Sequence, residues 1–461
     1  MDKLKTNKTM ENKTKSNLYT MPTTENNQNK NEIGNRDSFT VDRDKIMFST
    51  EFRRLDGKTQ VFVSGFDDHM RNRLTHTLEV SQIATSICKD IQLNTTLAEA
   101  ISLGHDIGHT PFGHVGERFL NLLTNNCIKK IANKYKVAST ELGFKHNLQG
   151  VKVATKLEKV SMSYDGLGLT EYTLWGIAHH SKLKYNNCKD QLEANTCGLF
   201  NQECKNKLNL THYSNILNEA YDENKHWSSE AIIVKEADEI AQRHHDIEDG
   251  IRAKLIDTET LISIIRKELP DNITERAKYL LYITENSQEN INIFLHNIAS
   301  FIIEVYSSEL IKEFKSFEET NKNTQIKDID YTTFFKKPYS SSFIDFNDYL
   351  SEQLQSYILC SQMANQMDGK ANYILKKLAE AYISNPRTLP DKTLSTLYYR
   401  INGQQQDGKQ VRSNINSLKN NASFGNHLIR IVTDYIAGMT DNYAIAQYKL
   451  LYGSDNYWSY L

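Results

Sequence analysis

Only six prolines punctuate 461 residues, so few points along the chain oblige a helix to break. Apolar residues recur at three- and four-residue steps, the period of a helix with one buried face. Between 68 and about 91, Leu74, Leu78, Ile83, Ala84, Ile87 and Ile91 trace such a stripe, with Asp67 or Asp68 as its cap. A second helix is expected from Thr95 or Thr96 through Leu97, Ala100, Ile101 and Leu103 into His105 and Asp106. Ser228 or Ser229, with Glu230 in the first turn, opens a third through Ile233, Ala237, Ile240 and Ala241. Similar patterns cover about 258–318, 347–384 and 425–451. The fold class this predicts is all-α.

Residues 1–35 are rich in Asn, Lys, Thr and Glu with almost no apolar period, the composition of a disordered tail. The polar stretches 185–226 and 319–346 read as loops or lids, and no repeat of fixed period is found. A net charge of -2 gives no global pull toward nucleic acid or membranes. No apolar run approaches the roughly 18–20 residues of a membrane span, and the basic start lacks the apolar stretch of a signal peptide. Six cysteines without a CxxC pair fit reduced thiols in a cytoplasmic protein. The spacing of Cys188, Cys197 and Cys204 suits a zinc site poorly.

The run from Leu103 to Glu117 holds His105, Asp106, His109, His114 and Glu117, interleaved with Gly104, Gly108, Gly113 and Gly116. Imidazoles and carboxylates are the groups that bind metals and move protons near neutral pH. His105 and Asp106 are adjacent, so on a helix they diverge by about 100° and could clasp one ion from two sides. His76, inside the first helix, and Asp238, on the third, are the candidates to complete the set. Two imidazoles and two carboxylates with open positions suit an octahedral divalent ion such as Mg²⁺, Mn²⁺ or Fe²⁺ better than a closed structural zinc. His109 follows His105 by one helical turn and could share its face. Pro111 disfavours a helical residue before it, so His114 is expected beyond a bend. His114 and Glu117 are three apart, the spacing at which a carboxylate can orient an imidazole as a proton donor. Arg73, three residues before His76, would be presented to the same region. His179-His180 and His244-His245 read as loop or packing histidines.

The order His76, His105-Asp106, Asp238 is the H…HD…D signature of the HD-domain metal-dependent phosphohydrolases. The surrounding text resembles the dGTPase-like deoxynucleoside triphosphate triphosphohydrolases within them. That text comprises Phe52-Arg-Arg-Leu-Asp-Gly-Lys-Thr-Gln-Val-Phe62, Arg73-Leu-Thr-His-Thr-Leu-Glu-Val80 and the whole run from Gly104 to Glu117. It continues in Phe144-Lys-His-Asn-Leu-Gln149, Ala237-Asp-Glu-Ile240, His245-Asp-Ile-Glu-Asp249 and Asp434-Tyr-Ile-Ala-Gly-Met-Thr-Asp-Asn-Tyr-Ala444. The resemblance runs from about Arg36 to the C-terminus. It implies a helical HD core over 36–255 and, over 256–461, an additional helical region that completes the fold and the oligomer.

Members of that family cleave dNTPs to deoxynucleoside and tripolyphosphate. The resemblance implies that His76, His105, Asp106 and Asp238 bind the metal, Mg²⁺ or Mn²⁺, with Fe²⁺, Ni²⁺ or Zn²⁺ as alternatives. It assigns His114, supported by Glu117, to proton transfer at the α-phosphate, and sets His109 along the phosphates. Arg73 and His146 match phosphate-side positions, and Gln60 and Asp246 match positions that hold the sugar. Gln242 stands where many members carry a tyrosine that excludes ribonucleotides. Lys182, Lys184 and Tyr185 follow the family's phosphate-side helix only loosely. The resemblance also implies a homo-oligomer, often a hexamer, with single-stranded DNA or a nucleotide as effector in some members, and no membrane partner. Two other readings compete. One is another HD phosphohydrolase acting on a cyclic or guanosine tetraphosphate-type nucleotide. The other is a non-catalytic nucleotide sensor or single-strand-binding scaffold.

Overall fold

Asn72, not an aspartate further upstream, caps the first long helix: its side chain accepts the Thr75 N–H at 2.9 Å, and the helix runs from Arg73 to Asp90. The expected cap residues Asp67 and Asp68 lie outside the residues that this computed structural model describes, which are 37–60, 71–162, 164–181, 209–213, 228–321, 334 and 337–453. Lys182, Lys184, Tyr185, Cys188, Cys197 and Cys204 are also outside them. Among the described residues no strand forms; two isolated bridges, Thr59 with Asn72 and Lys159 with Gly166, are the only β pairing.

Among the described residues the helices of seven residues or more are, in order, Ser38–Met47 (α1), Arg73–Asp90 (α2), Thr95–Gly104 (α3), Gly113–Thr124 (α4), His146–Lys152 (α5), Glu171–His179 (α6) and Ser229–Arg252 (α7). Beyond them come Thr258–Glu268 (α8), Glu275–Glu285 (α9), Ile291–Thr320 (α10), Ser341–Leu354 (α11), Gln362–Ser384 (α12), Asp391–Asn402 (α13), Phe424–Ala437 (α14) and Asp441–Tyr452 (α15). Side chains close most starts: Ser228 caps α7 as the sequence predicts, and Asn94, a residue the sequence reading did not name, caps α3 at its expected start. The pattern over 258–318 resolves into three helices rather than one. α8 ends next to Pro270, whose ring disfavours helix at the residue before it. The stretch 319–346 is not all loop, because α11 begins at Ser341. Likewise Thr211–Tyr213, within 185–226, forms a single tight turn with Tyr213 buried.

Three apolar clusters hold these helices together. In the first, the inner faces of α2, α3 and α7 meet the long α10 through Val80, Ile87, Leu97, Ile240, Phe294 and Phe301. In the second, Phe119, Leu120 and Leu123 of α4 are packed by Leu375 and Leu378 of α12 and by Leu428 and Val432 of α14. The third, around Leu103, Ile107, Leu148 and Ile177, sits under the histidine run. The first two clusters draw residues from both sides of 255, the expected boundary between core and C-terminal region. The stripe of each helix is therefore covered by elements distant in sequence. No described helix is long and apolar enough to cross a membrane. Among the described residues Cys88, Cys127 and Cys360 form no disulfide.

Candidate metal and phosphate site

Helix α3 stops at Gly104, and the chain continues as a turn from His105 to Gly108. His105 and Asp106 are thus at a helix end rather than within one. Gly108 is required by proximity: a Cβ there would lie 2.1 Å from both the Gly150 nitrogen and the His146 carbonyl oxygen of α5. Pro111 is followed by Phe112 at φ 60° and Gly113 at φ 57°, a left-handed corner that costs a non-glycine residue energy. The C-terminal helices hold that corner. Asp441 accepts the Phe112 N–H at 2.8 Å and the Thr59 N–H at 3.0 Å, as well as the Thr59 hydroxyl. The buried Lys58 ammonium donates to the carbonyls of His109 and Ala437. The Asp434–Ala444 text, which carried no assigned role, therefore braces the site from behind.

The structure brings His76, His105, Asp106 and Asp238 together. His76 Nε2 lies 2.9 Å from Asp238 Oδ1, and His105 Nε2 lies 3.4 Å from Asp106 Oδ1 and 3.8 Å from Asp238 Oδ1. His76, His105 and Asp106 are no more than 3% exposed. His105 Nδ1 lies 2.6 Å from the Ser102 carbonyl, which can only accept, so the ring proton is on Nδ1 and Nε2 carries a lone pair. That Nε2 is buried without a hydrogen-bond partner and faces two carboxylates. Lone pairs and anionic oxygens converging at such distances repel one another unless a cation stands between them, and ligands around one divalent ion at about 2.1 Å are spaced in this way. The donor set fits a divalent metal.

Arg73 Nη1 is 2.6 Å from Asp106 Oδ2, both side chains buried. Burial alone would raise the Asp106 carboxyl, but the neighbouring positive charge, above all the Arg73 guanidinium, outweighs it and holds it well below the usual range. The ion pair leaves Asp106 Oδ1 facing His105 and, at 3.5 Å, His109 Nε2. Burial and the Arg73 charge lower the His109 pKa well below its ordinary value, so this ring is neutral at pH 7.

Glu117 does not orient His114. Its carboxylate accepts the His146 backbone N–H at 2.9 Å, is paired with His146 Nδ1, and meets Lys145 Nζ at 3.0 Å. The three-residue spacing predicted the other partner. α5, arriving from elsewhere, brings its N-terminus and His146 closer to the carboxylate than a neighbour on the same helix. His114 is exposed, but desolvation by the protein packed round its ring, then the His146, Arg73 and Lys145 charges, outweigh the Glu117 carboxylate and lower its pKa to about 4. Its ring centroid is 5.4 Å from that of His109 and 5.9 Å from that of His146, and His109 stacks on His146 at 3.9 Å. The three imidazoles form one wall beside the carboxylates.

Sequence reasoning passed over three members of this region. His180, read as a loop or packing residue, points its Nε2 at His146 Nε2, 3.1 Å away, and its ring centroid is 5.0 Å from that of His105. His245 lies directly behind His76, and Glu79 lies behind His245. His179 does pack, stacked on Trp175 at 4.1 Å. The Glu79 and His180 positions carried no sequence signal of their own; only tertiary packing aims them. Gln60 and Asp246 each carry a buried oxygen without a hydrogen-bond partner, Oε1 and Oδ1 respectively. Burial and the nearby Asp249 carboxylate push the Asp246 pKa up to about 7.

Comparison with known proteins finds relatives along most of the chain. The HD domain family matches residues 73–280, and the phosphohydrolase-associated domain family matches 347–450. The deoxyguanosinetriphosphate triphosphohydrolase-like protein of Rickettsia bellii is 32% identical over 426 residues, covering 90% of this chain and 92% of its own length. Similar proteins of the same description in Rickettsia akari and Bartonella quintana are 31% and 29% identical, with 90% and 91% of this chain covered and 90% of each relative.

Proposed function

The chain belongs to the dGTPase-like family of HD-domain phosphohydrolases, and from that membership we propose that it is a metal-dependent dNTP triphosphohydrolase, releasing deoxynucleoside and tripolyphosphate. The observation that carries the reading is the convergence of His76, His105, Asp106 and Asp238 on one buried point, with Arg73 on one side and the His109–His114–His146 wall on the other. A divalent ion held by that quartet, Mg²⁺ or Mn²⁺, supplies a polarised phosphoryl oxygen and a water of lowered pKa.

The remaining steps belong to the side chains. Arg73, fixed by Asp106, offsets charge on the phosphates. Water attacks the α-phosphorus, its oxygen stays with tripolyphosphate, and the bond to the sugar 5′-oxygen breaks. The leaving 5′-oxygen needs a proton. His114, exposed and next to the other two imidazoles, is the group we assign to deliver it; its lowered pKa leaves the ring neutral beforehand, so it takes a proton from solvent in exchange for the one the attacking water gives up. His180 donates from Nδ1 to the Ile177 carbonyl at 2.8 Å, so its Nε2 is an acceptor for His146. The Glu117 carboxylate is an acceptor at the other end of the same ring. A His146 ring protonated on both nitrogens satisfies both partners and puts positive charge along the phosphates. The unpartnered oxygens of Gln60 and Asp246 are acceptors of the kind a sugar hydroxyl requires. By the same resemblance the chain assembles as a homo-oligomer, which light scattering of the purified protein tests.

The deciding experiment incubates purified protein with each dNTP and Mn²⁺ or Mg²⁺ and separates the products. Tripolyphosphate and deoxynucleoside are expected. Release of orthophosphate or pyrophosphate instead, or turnover only of cyclic or tetraphosphate nucleotides, overturns the reading. The same assay with GTP beside dGTP tests whether Gln242 relaxes exclusion of ribonucleotides.

A further inference from the structure

We infer that Glu79 and His245 act as positioning residues that fix the tautomer of His76 and hold its Nε2 lone pair on the metal side. The inference rests on the metal-site reading above and adds two residues to it. His76 Nδ1 lies 3.3 Å from His245 Nδ1, and His245 Nε2 is hydrogen-bonded to Glu79 Oε2. His76 is 1% exposed and His245 is fully buried, so water does not compete for either ring.

Proton positions follow from the end of the chain. Glu79 is a carboxylate bound by Arg71, whose Nε is 3.1 Å from Oε1, and an ionised carboxylate only accepts. His245 must therefore donate from Nε2. A neutral imidazole has one donor and one acceptor, which leaves a lone pair on His245 Nδ1. His76 then donates from Nδ1, and its Nε2 lone pair points at Asp238 Oδ1, 2.9 Å away. This is the ligating form. Arg71 also spans to Glu248 Oε2 at 2.5 Å, pinning the far end of the relay to α7. A carboxylate behind a ligating histidine fixes ring orientation and raises its basicity; here a second imidazole is interposed.

Glu79, His244 and His245 bring ligand atoms within 4.8 Å of one another and so invite a second metal site. The relay excludes it. An ion on His245 Nε2 would move that ring's proton to Nδ1, which would then donate to His76 Nδ1. His76 would have to carry its proton on Nε2, against the first ion. The Arg71 cation already occupies Glu79, and His244 Nε2 stands 3.1 Å from Oε2, the same Glu79 oxygen that His245 Nε2 holds.

Two measurements test the relay. Imidazole ¹⁵N spectra of the metal-free full-length protein should show His76 protonated at Nδ1; protonation at Nε2 overturns the proposal. Titration calorimetry with Mn²⁺ should show affinity reduced about 10- to 100-fold in His245→Leu and Glu79→Gln, with folding checked by circular dichroism. His245→Asn, whose Oδ1 can stand in for the Nδ1 acceptor, should recover part of that loss. Wild-type affinity in a folded His245→Leu also overturns it. Failure of the wild-type protein to bind Mn²⁺ would instead sink the metal-site reading, and the spectrum would still report the tautomer.

Discussion

Glu117 clasps His146 twice, by the backbone N–H at 2.9 Å and by ring Nδ1, so the carboxylate that a three-residue spacing would give to His114 serves a residue on another helix. Two histidines of the wall are thereby divided: His146 is held rigidly and His114 is left free at the cleft.

Substitution should separate those roles. His114→Ala is expected to lower kcat by about 100-fold or more, the usual scale for a lost proton donor, with Mn²⁺ affinity unchanged. Glu117→Gln should lower kcat by a smaller factor, about 10- to 100-fold, through loss of His146 orientation. Steady-state kinetics with calorimetry checks both. Loss of metal binding in His114→Ala would make His114 a ligand instead.

Arg73 and Asp106 form a buried ion pair at 2.6 Å. Removing one partner of such a pair leaves an uncompensated charge and typically costs about 3–5 kcal/mol. Arg73→Ala should therefore melt at lower temperature than wild type without metal, and Mn²⁺ should recover part of the difference by supplying positive charge at Asp106. Thermal denaturation with and without Mn²⁺ measures this. An equal loss in both conditions would separate Arg73 from the metal site.

At the quartet, His105→Ala and Asp106→Asn are expected to bring metal-dependent turnover to background while keeping a cooperative melting transition. Both substitutions leave the three apolar clusters untouched, because neither side chain belongs to them. Full activity in either variant would refute the assigned site.

Asp246 provides a pH signature. Its carboxyl is raised from the ordinary 3.8 to about 7 by burial and by Asp249, so between those values the folded protein holds a proton that the unfolded chain has lost. Stability from this group is complete below about pH 4 and falls as pH rises toward 7. Asp246→Asn, which cannot ionise, should be more stable than wild type at pH 8, with the gap closing toward pH 4. Urea denaturation at several pH values checks the trend; a gap that widens toward acid would contradict it.

Much of the fold was legible because its causes are local. Asn94 and Ser228 cap where the periodicity begins, and the apolar stripe of α7 is buried throughout, whereas in α2 only the Ile83, Ala84, Ile87 and Ile91 part is buried and Leu78 is 46% exposed. Boundaries were less legible where no side chain announces them. α3 stops at Gly104, short of the metal residues, because the third cluster and the close approach of α5 at Gly108 replace helix by a turn. The 258–318 pattern hid two breaks, since three consecutive amphipathic helices keep the same period.

By itself the sequence determined the helical class and the chemistry available: imidazoles, carboxylates and one arginine at spacings that helices converge. Those follow from backbone propensity and side-chain type, which neighbours along the chain decide. Tertiary structure decided the partners. It gave Glu117 to His146, turned His180 into the site, set Glu79 and His245 behind His76, and used Asp441 and Lys58 to brace the Pro111–Gly113 corner. The reason is that a hydrogen bond acts over about 3 Å, and which groups come that close is fixed by how distant helices pack, a quantity that sequence spacing does not contain.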